Sequence, residues 1–362
     1  MTGLLTGLVS LVVFGLVILV HELGHFWAAR HCGIRVEEFS IGFGPTIASW
    51  QRGGTRYTLR LLPLGGYNLF SNPPEMEEGE APPPVQPPVK RRGLFPVTVS
   101  NLPYEEAGPW QRFFVTLWGA VMNFLLGFVV LLVLVFSMAN LGGTTVAQFI
   151  DGAASAATGL QVGDTILEVD GGRCRTANSL AAYFDGTEQE HTLTVLRGGE
   201  LLTLTGVTVA PTTDEEGNIL SGVDFRVAAV PKNLRNVLAQ TREFFGYYST
   251  AILGGFWQLA TGQVGVEQLS GPIGTVSAVS QAVQYGWRDV LSLMALLTIN
   301  VGIFNLLPIP ALDGCKLIFL LFEGVTGKAV PQKFQIIINT AGVVALLWLM
   351  LLVTMQDITR FL

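Results

Sequence analysis

Charge is scarce in this chain. Only 13% of its 362 residues are Asp, Glu, Lys or Arg and half are apolar, whereas a soluble protein of this length carries roughly a quarter charged residues. Four stretches lack charge altogether: Leu4 to Val20, Phe113 to Ala139, Val290 to Leu307 and Phe334 to Met355. Each approaches or exceeds the roughly 17 to 25 residues that a spanning helix needs. Cysteine is as thin. Cys32, Cys174 and Cys315 are odd in number and unpaired in spacing, which excludes a disulfide framework and a cysteine-rich metal site. The net charge of −6, without a basic stripe interleaved with aromatics, excludes nucleic acid as a partner. What remains is a polytopic α-helical membrane protein with four spanning helices and the lipid bilayer as its surroundings.

Histidine is rarer still, four in all, yet two of the four stand in His21-Glu22-Leu23-Gly24-His25, directly after the first apolar run. Ionisable groups at the membrane are costly and by default functional. On a helix, residues i and i+4 share a face, so His21 and His25 can each offer a ring nitrogen to one zinc ion. Glu22 lies beside them without needing to be a ligand, which suits a general base. The bland alternative is a pair of buried histidines satisfied by backbone carbonyls. A cleaved signal peptide is a poor reading of the first run, because no basic region precedes it and no small-residue cleavage site follows. Cys32, seven residues past His25, reads as a small buried thiol.

A catalytic zinc site takes three protein ligands and keeps one position open. The candidate for the third is Asp313, at the end of Asn305-Leu306-Leu307-Pro308-Ile309-Pro310-Ala311-Leu312-Asp313-Gly314. Pro308 and Pro310 remove two amide donors and push the residues before them towards extended geometry, so a helix should break there. Broken backbone at membrane depth survives only when buried in protein or lining a wet cavity. Asn305, just before the break, suits either a donor to an exposed substrate carbonyl or a simple helix cap.

Nine of the 21 Lys and Arg residues fall between Arg30 and Arg112, whereas Asp151 to Asp289 holds fifteen acidic residues against eight basic. The positive-inside rule makes residues 30 to 112 cytoplasmic and puts both termini outside. Residues 244 to 266 are also uncharged, but their Gly, Gln, Thr and Tyr content suits an interfacial or re-entrant helix. An even number of crossings there also keeps Asp313 on the side of His21 and His25. The chain then divides into a first span with the zinc motif (1–30), a cytoplasmic-side β element (31–71), a Pro-rich linker (72–111), a second span (112–140), a soluble domain (144–230), extracytoplasmic interfacial helices (231–288), a third span with the Asn-to-Gly segment (289–333) and a fourth span (334–358). In the β element, Tyr57, Leu59 and Leu61 alternate with Arg56, Thr58 and Arg60 after a Gly53-Gly54 turn. This predicts a hairpin, either structural or with an edge open to an extended peptide. The nine prolines and the acidic patch of residues 72 to 103 predict a solvated linker.

Strand-like runs at Thr165 to Val169, His191 to Leu196 and Leu201 to Val209 fill the soluble domain. Its Gly159-Leu160-Gln161-Val162-Gly163-Asp164 run, followed by Ile166 to Gly171, resembles the signature of PDZ domains in bacterial proteases. That implies an inserted extracytoplasmic PDZ domain, with Gly159 and Leu160 at a peptide-binding edge or with the domain acting only as a size filter.

With His21 to His25, Gly42-Phe43-Gly44-Pro45, Leu64-Gly65-Gly66-Tyr67, Asn123-Phe124, Ser270-Gly271-Pro272-Ile273-Gly274 and Asn305 to Gly314, the chain resembles the site-2 protease family of intramembrane zinc metalloproteases, in its bacterial single-PDZ, regulator-of-sigma-factor form. The resemblance implies one Zn2+ held by His21, His25 and Asp313, Glu22 as general base, and Asn305 positioning the substrate. The hairpin with Gly65, Gly66 and Tyr67 would present the substrate-pairing edge. It implies a cell-membrane enzyme that cuts single-span proteins such as anti-sigma factors, or remnant signal peptides, near the cytoplasmic side. Ala120, where the family usually has Pro, and Cys315-Lys316, where it commonly has Gly first, depart from the pattern. The rival is a non-proteolytic PDZ-bearing adaptor with a structural zinc. It is disfavoured because a structural site closes with four ligands and only three come together.

Overall fold

A computed structural model describes residues 2–71, 89–91, 97–99, 102–184, 186–213, 219–265 and 269–361. Most of the expected linker, and so the prediction of its solvation, lies outside the described residues. In chain order the elements are α1 (Thr2–His31), β1 (Val36–Arg52), β2 (Thr55–Phe70), β3 (Val89–Arg91), β4 (Val97–Val99), α2 (Pro109–Ser137), β5 (Leu141–Phe149), α3 (Ala154–Ala157), β6 (Thr165–Val169), β7 (Gly172–Arg173), α4 (Ala177–Ala181), β8 (Gln189–Arg197), β9 (Glu200–Val209), β10 (Thr212–Thr213), β11 (Ile219–Ser221), β12 (Phe225–Val230), α5 (Leu234–Ala260), α6 (Pro272–Tyr285), α7 (Trp287–Phe304), α8 (Asp313–Thr326) and α9 (Gln332–Phe361). They form two units, one of residues 1–130 with 248–362 and one of residues 131–247.

In the larger unit, four helices among the described residues are long and apolar enough to cross a membrane: Gly3–His31, Pro109–Ser137, Trp287–Phe304 and Gln332–Thr359. The four expected spans are these. Residues 244–260 of the uncharged segment are the end of α5, which at 27 residues is long enough to cross but is not among the helices apolar enough to do so. α1 and α2 approach closely because Gly24 has no side chain. A Cβ there would lie 2.8 Å from the Trp118 carbonyl carbon and 2.9 Å from the Gly119 Cα. Below them Ala28, Ala29, Ile34, Val36, Ala107 and Val115 form one buried cluster, with Leu102 and Tyr104 against it. Within the stretch read as Pro-rich linker, Ala107 is therefore core and Leu102 and Tyr104 pack against it, while Glu105, Glu106 and Gly108 stay exposed. The apolar side chains of Leu102, Tyr104 and Ala107 outweigh the composition of the segment around them.

The hairpin is more folded than its alternation suggests. Gly53 and Gly54 take φ of +61° and +82° and close the turn between Arg52 and Thr55, a conformation that two-residue hairpin turns need and that glycine adopts without cost. The strands then double back. Glu38 to Ile41 runs alongside both Arg56 to Leu59 and Gly66 to Leu69, so two long strands make a small sheet of four segments. Thr55 and Thr58 are buried on it while Leu59 and Leu61 are exposed. Each alternating face therefore has one buried threonine, Thr55 in line with Leu59 and Leu61 and Thr58 between Arg56 and Arg60.

The third apolar run ends where the prolines predict. α7 stops at Phe304, Asn305 caps it, and the chain turns through Ala311 at φ +75° before a separate helix, α8, begins at Asp313. Gly314 lets the turn fold back, since its Cβ would lie 2.7 Å from the Leu306 carbonyl oxygen. Residues 289–333, taken as one span with its motif, are thus two helices joined by a proline-rich turn.

The smaller unit contains a six-stranded sheet in the order β12-β5-β6-β8-β9, with β7 on β6. β6, β8 and β9 cover the three expected strand runs. Val146, Leu160, Ile166, Val169, Leu193, Val195, Val207 and Phe225 are buried together as its core. Pairing of β5 with β12 brings the two ends of the unit side by side. Asp164 is fully buried and takes two 2.7 Å bonds from Arg197 and one of 2.8 Å from the Gln161 amide. Burial alone would raise its carboxyl, but Arg197 and that amide hold it below the usual carboxylate range.

Candidate metal centre

His21 and His25 are one turn apart on α1, and Asp313 is the first residue of α8. Their ligand atoms converge. Nε2 of His21 is 3.2 Å from Nε2 of His25, and Oδ2 of Asp313 is 3.3 Å and 3.1 Å from the two. Each of the three side chains is about one-eighth exposed. Donors on a tetrahedral zinc with bonds of about 2.0 to 2.1 Å stand about 3.3 Å apart, so the three edges outline one face of such a site. Among the described residues this is the one group of three His, Cys, Asp or Glu side chains with the spacing of a metal site. Cys32 packs instead beside the buried cluster of Ala28 and Ile34.

Each imidazole is oriented from behind by α2. His25 Nδ1 lies 2.9 Å from the carbonyl oxygen of Val115, a contact that requires the proton on Nδ1 and leaves Nε2 as the acceptor. His21 Nδ1 lies 3.2 Å from the amide group of Asn123, which is fully buried. Asn123 Oδ1 has no hydrogen-bond partner. A metal on His21 Nε2 requires Nδ1–H to donate, and a half-turn of the carboxamide presents that orphaned oxygen as the acceptor. The donor set and its backing thus fit zinc. Gly119, one turn before Asn123, is the floor on which both rings lie, and a Cβ there would collide with His25 Nε2 and come within 2.9 Å of His21 Cε1.

Glu22 faces the same cavity of about 430 Å³, with Gly66, Tyr67, Asn68, Asn305 and Lys316 among its lining. Its Oε2 accepts a 2.8 Å bond from Asn68 Nδ2. Of the residues expected at a substrate-pairing edge, Gly66 touches the site, for a Cβ there would lie 2.9 Å from Glu22 Cγ. Gly65 has φ +110° and is covered by the Phe43 ring. Tyr67 donates its hydroxyl to Glu38 Oε1 at 2.9 Å and accepts from Arg60 at 2.7 Å. Burial would raise the Glu38 carboxyl, but the 2.9 Å bond from Arg60 Nη2, with that from Tyr67, holds it low. Asn305 is half-buried at the end of α7 and lines the cavity as well. Lys316 Nζ stands 3.5 Å from Asp313 Oδ1.

Gly159 and Leu160 are in the other unit. Leu160 is 1% exposed in the core, and the two amides donate to Ala156 and Ser155 carbonyls at the end of α3. Their expected peptide contacts find no free donor there. Asn68, Gly119 and the role of Asn123 escape a reading of motifs alone. For Asn123 a signal existed: a carboxamide in the middle of an uncharged span calls for a partner.

Comparison with known families matches residues 9–349 to the family described as Peptidase family M50. A putative zinc metalloprotease of Fusobacterium nucleatum is 31% identical over 366 aligned residues, covering 98% of this chain and 99% of the relative. The regulator of sigma-W protease RasP of Bacillus subtilis is 30% identical, with 98% of both chains covered. Metalloprotease MmpA of Caulobacter vibrioides is 32% identical, covering 100% of this chain and 97% of its own. Similarity that runs the full length of a chain with four apolar helices makes this protein a member of peptidase family M50, the site-2 proteases, and a membrane-embedded zinc metalloprotease.

Proposed function

We propose that this protease cleaves single-span membrane proteins or remnant signal peptides near the cytoplasmic face of a bacterial cell membrane, in regulated proteolysis of substrates such as an anti-sigma factor. His21, His25 and Asp313 hold one Zn2+, and Glu22 is the general base. The observation that carries the reading is the near-equilateral triangle of three donor atoms with a carboxylate beside it in one cavity. The positive-inside asymmetry of residues 30–112 sets the orientation, with both termini and the 144–230 domain outside.

Bound zinc supplies Lewis acidity to the scissile carbonyl and the attacking water. Glu22 takes a proton from that water as the new C–O bond forms, then delivers it to the amide nitrogen as the C–N bond breaks. A helical substrate must first unwind, because its carbonyls are engaged in its own hydrogen bonds. The Gly66 to Leu69 segment pairs with Glu38 to Ile41 on one side and with no strand on the other among the described residues. Such an edge can replace the lost backbone bonds by strand addition. Asn305, which lines the same cavity, donates to an exposed substrate carbonyl.

The 144–230 domain reads as a PDZ-like module. The engaged amides of Gly159 and Leu160 favour its use as a size filter over peptide capture through those residues. The test of the whole reading is Glu22→Gln in the full-length protein in detergent, with a single-span reporter. Zinc retained and cleavage abolished is the expected result. Cleavage retained at the wild-type rate removes Glu22 as the base.

A further inference from the structure

Asn68 makes an unusual pair of contacts. Its Nδ2 donates to Glu22 Oε2 at 2.8 Å and to the Glu22 backbone carbonyl at 3.0 Å, so both hydrogens of one amide are spent on one residue. That geometry ties the Glu22 carboxylate to its own backbone, which fixes the side-chain torsions between them. The carboxylate is confined elsewhere as well. Gly66 lies against its Cγ, and a Cβ at Gly66 would also lie 2.8 Å from the Ser40 carbonyl and 3.6 Å from Ile18. With Oε2 taken by Asn68, Oε1 is the oxygen left for a proton in transit. Asn68 Oδ1 is buried and has no partner, so the side chain is held through its donor end alone.

We infer that Asn68 is a positioning residue for the general base. It acts through Glu22 and not on the substrate, and the inference rests on Glu22 having that role. The strand that holds it has a second consequence. Asn68 lies on the Gly66 to Leu69 edge proposed to receive the substrate, paired through Phe39 on the other side. A substrate strand that shifts β2 therefore shifts the amide that aims Glu22, which links occupancy of the edge to alignment of the base.

Two roles must be separated: an amide that shapes the edge affects binding, whereas one that aims the base affects the chemical step. Full-length Asn68→Ala and Asn68→Leu are compared with wild type and Glu22→Gln for kcat and KM on a single-span reporter, with zinc content and unfolding midpoint measured on each. The expected result is a kcat lowered on the order of 100-fold, as for a reacting group misplaced by about 1 Å, with KM and zinc content unchanged. A raised KM at unchanged kcat, or loss of zinc or of fold in both variants, overturns the inference and leaves Asn68 a tether of β2. If Glu22→Gln is inactive while both Asn68 variants keep the wild-type kcat, only this inference fails. If Glu22→Gln itself cleaves, the reading beneath it fails.

Discussion

Asn123 and His21 are 102 residues apart in the chain, and the amide nitrogen of the fully buried Asn123 meets the ring nitrogen at 3.2 Å behind the candidate metal centre. The contact gives α2 a task beyond spanning: it holds the imidazole so that Nε2 faces His25 and Asp313. Removing the acceptor with Asn123→Ala should weaken zinc binding about 10- to 100-fold, the usual effect of losing an outer partner of a metal-ligating histidine. Asn123→Asp should retain tight binding, because a carboxylate accepts the same Nδ1–H. Chelator competition on the purified protein measures both. Equal affinities for wild type and Asn123→Ala would remove the proposed role.

Asp313 contributes the anionic donor of the triangle. Asp313→Asn keeps its shape and loses its charge, so zinc per chain after dialysis should fall well below one while the protein stays folded. Elemental analysis gives the stoichiometry directly. Full occupancy in this variant would point to a different third ligand.

Gly119 tests the floor of the site. Gly119→Ala adds a methyl group against both imidazoles, and neither backbone has room to withdraw because Gly24 already brings α1 onto α2. Zinc content and cleavage should both collapse. Gly15→Ala on the same α1 helix, where a Cβ meets nothing within 4 Å, should leave both intact. Loss of activity in both would mean that any added bulk in this region is harmful, not bulk at the site.

The Asp164–Arg197 pair predicts a pH dependence of the smaller unit. A carboxyl held below its ordinary value stabilises the fold above that value, and the contribution is lost as pH falls through the folded-state value. Arg197→Met leaves a buried carboxylate without its partner and should lower stability near neutral pH. The gap between variant and wild type should then narrow as pH falls below the ordinary carboxylate range of about 4 and towards the lowered value of wild-type Asp164. Unfolding of the full-length protein in urea at several pH values reads the gap. A gap independent of pH would assign the loss to Arg197 packing alone.

Much of the fold can be read from local pattern. Charge-free runs mark the four spans, the two prolines mark the break after Phe304, and alternation marks β6, β8 and β9. His21 and His25 announce themselves, because a fixed helical period places them on one face whatever surrounds them. Elsewhere local pattern misleads. Leu102, Tyr104 and Ala107 fall in a linker-like stretch and pack into a buried cluster, and Leu160 looks like part of a peptide edge and fills the interior. In both cases burial was settled by which apolar surface was nearest in space, information that composition does not carry.

The sequence by itself determined that this is a membrane protein with a paired-histidine zinc motif, since hydrophobicity and helical period are properties of neighbouring residues. Only the tertiary structure decided what stands around that motif. Asp313 reaches it across nearly the whole chain, Asn123 and Val115 set its tautomers from a second helix, and Asn68 grips Glu22 from a strand that doubles back on itself. These are single contacts between distant segments, and a hydrogen bond depends on a few tenths of an ångström that only the packed helices and sheet can supply.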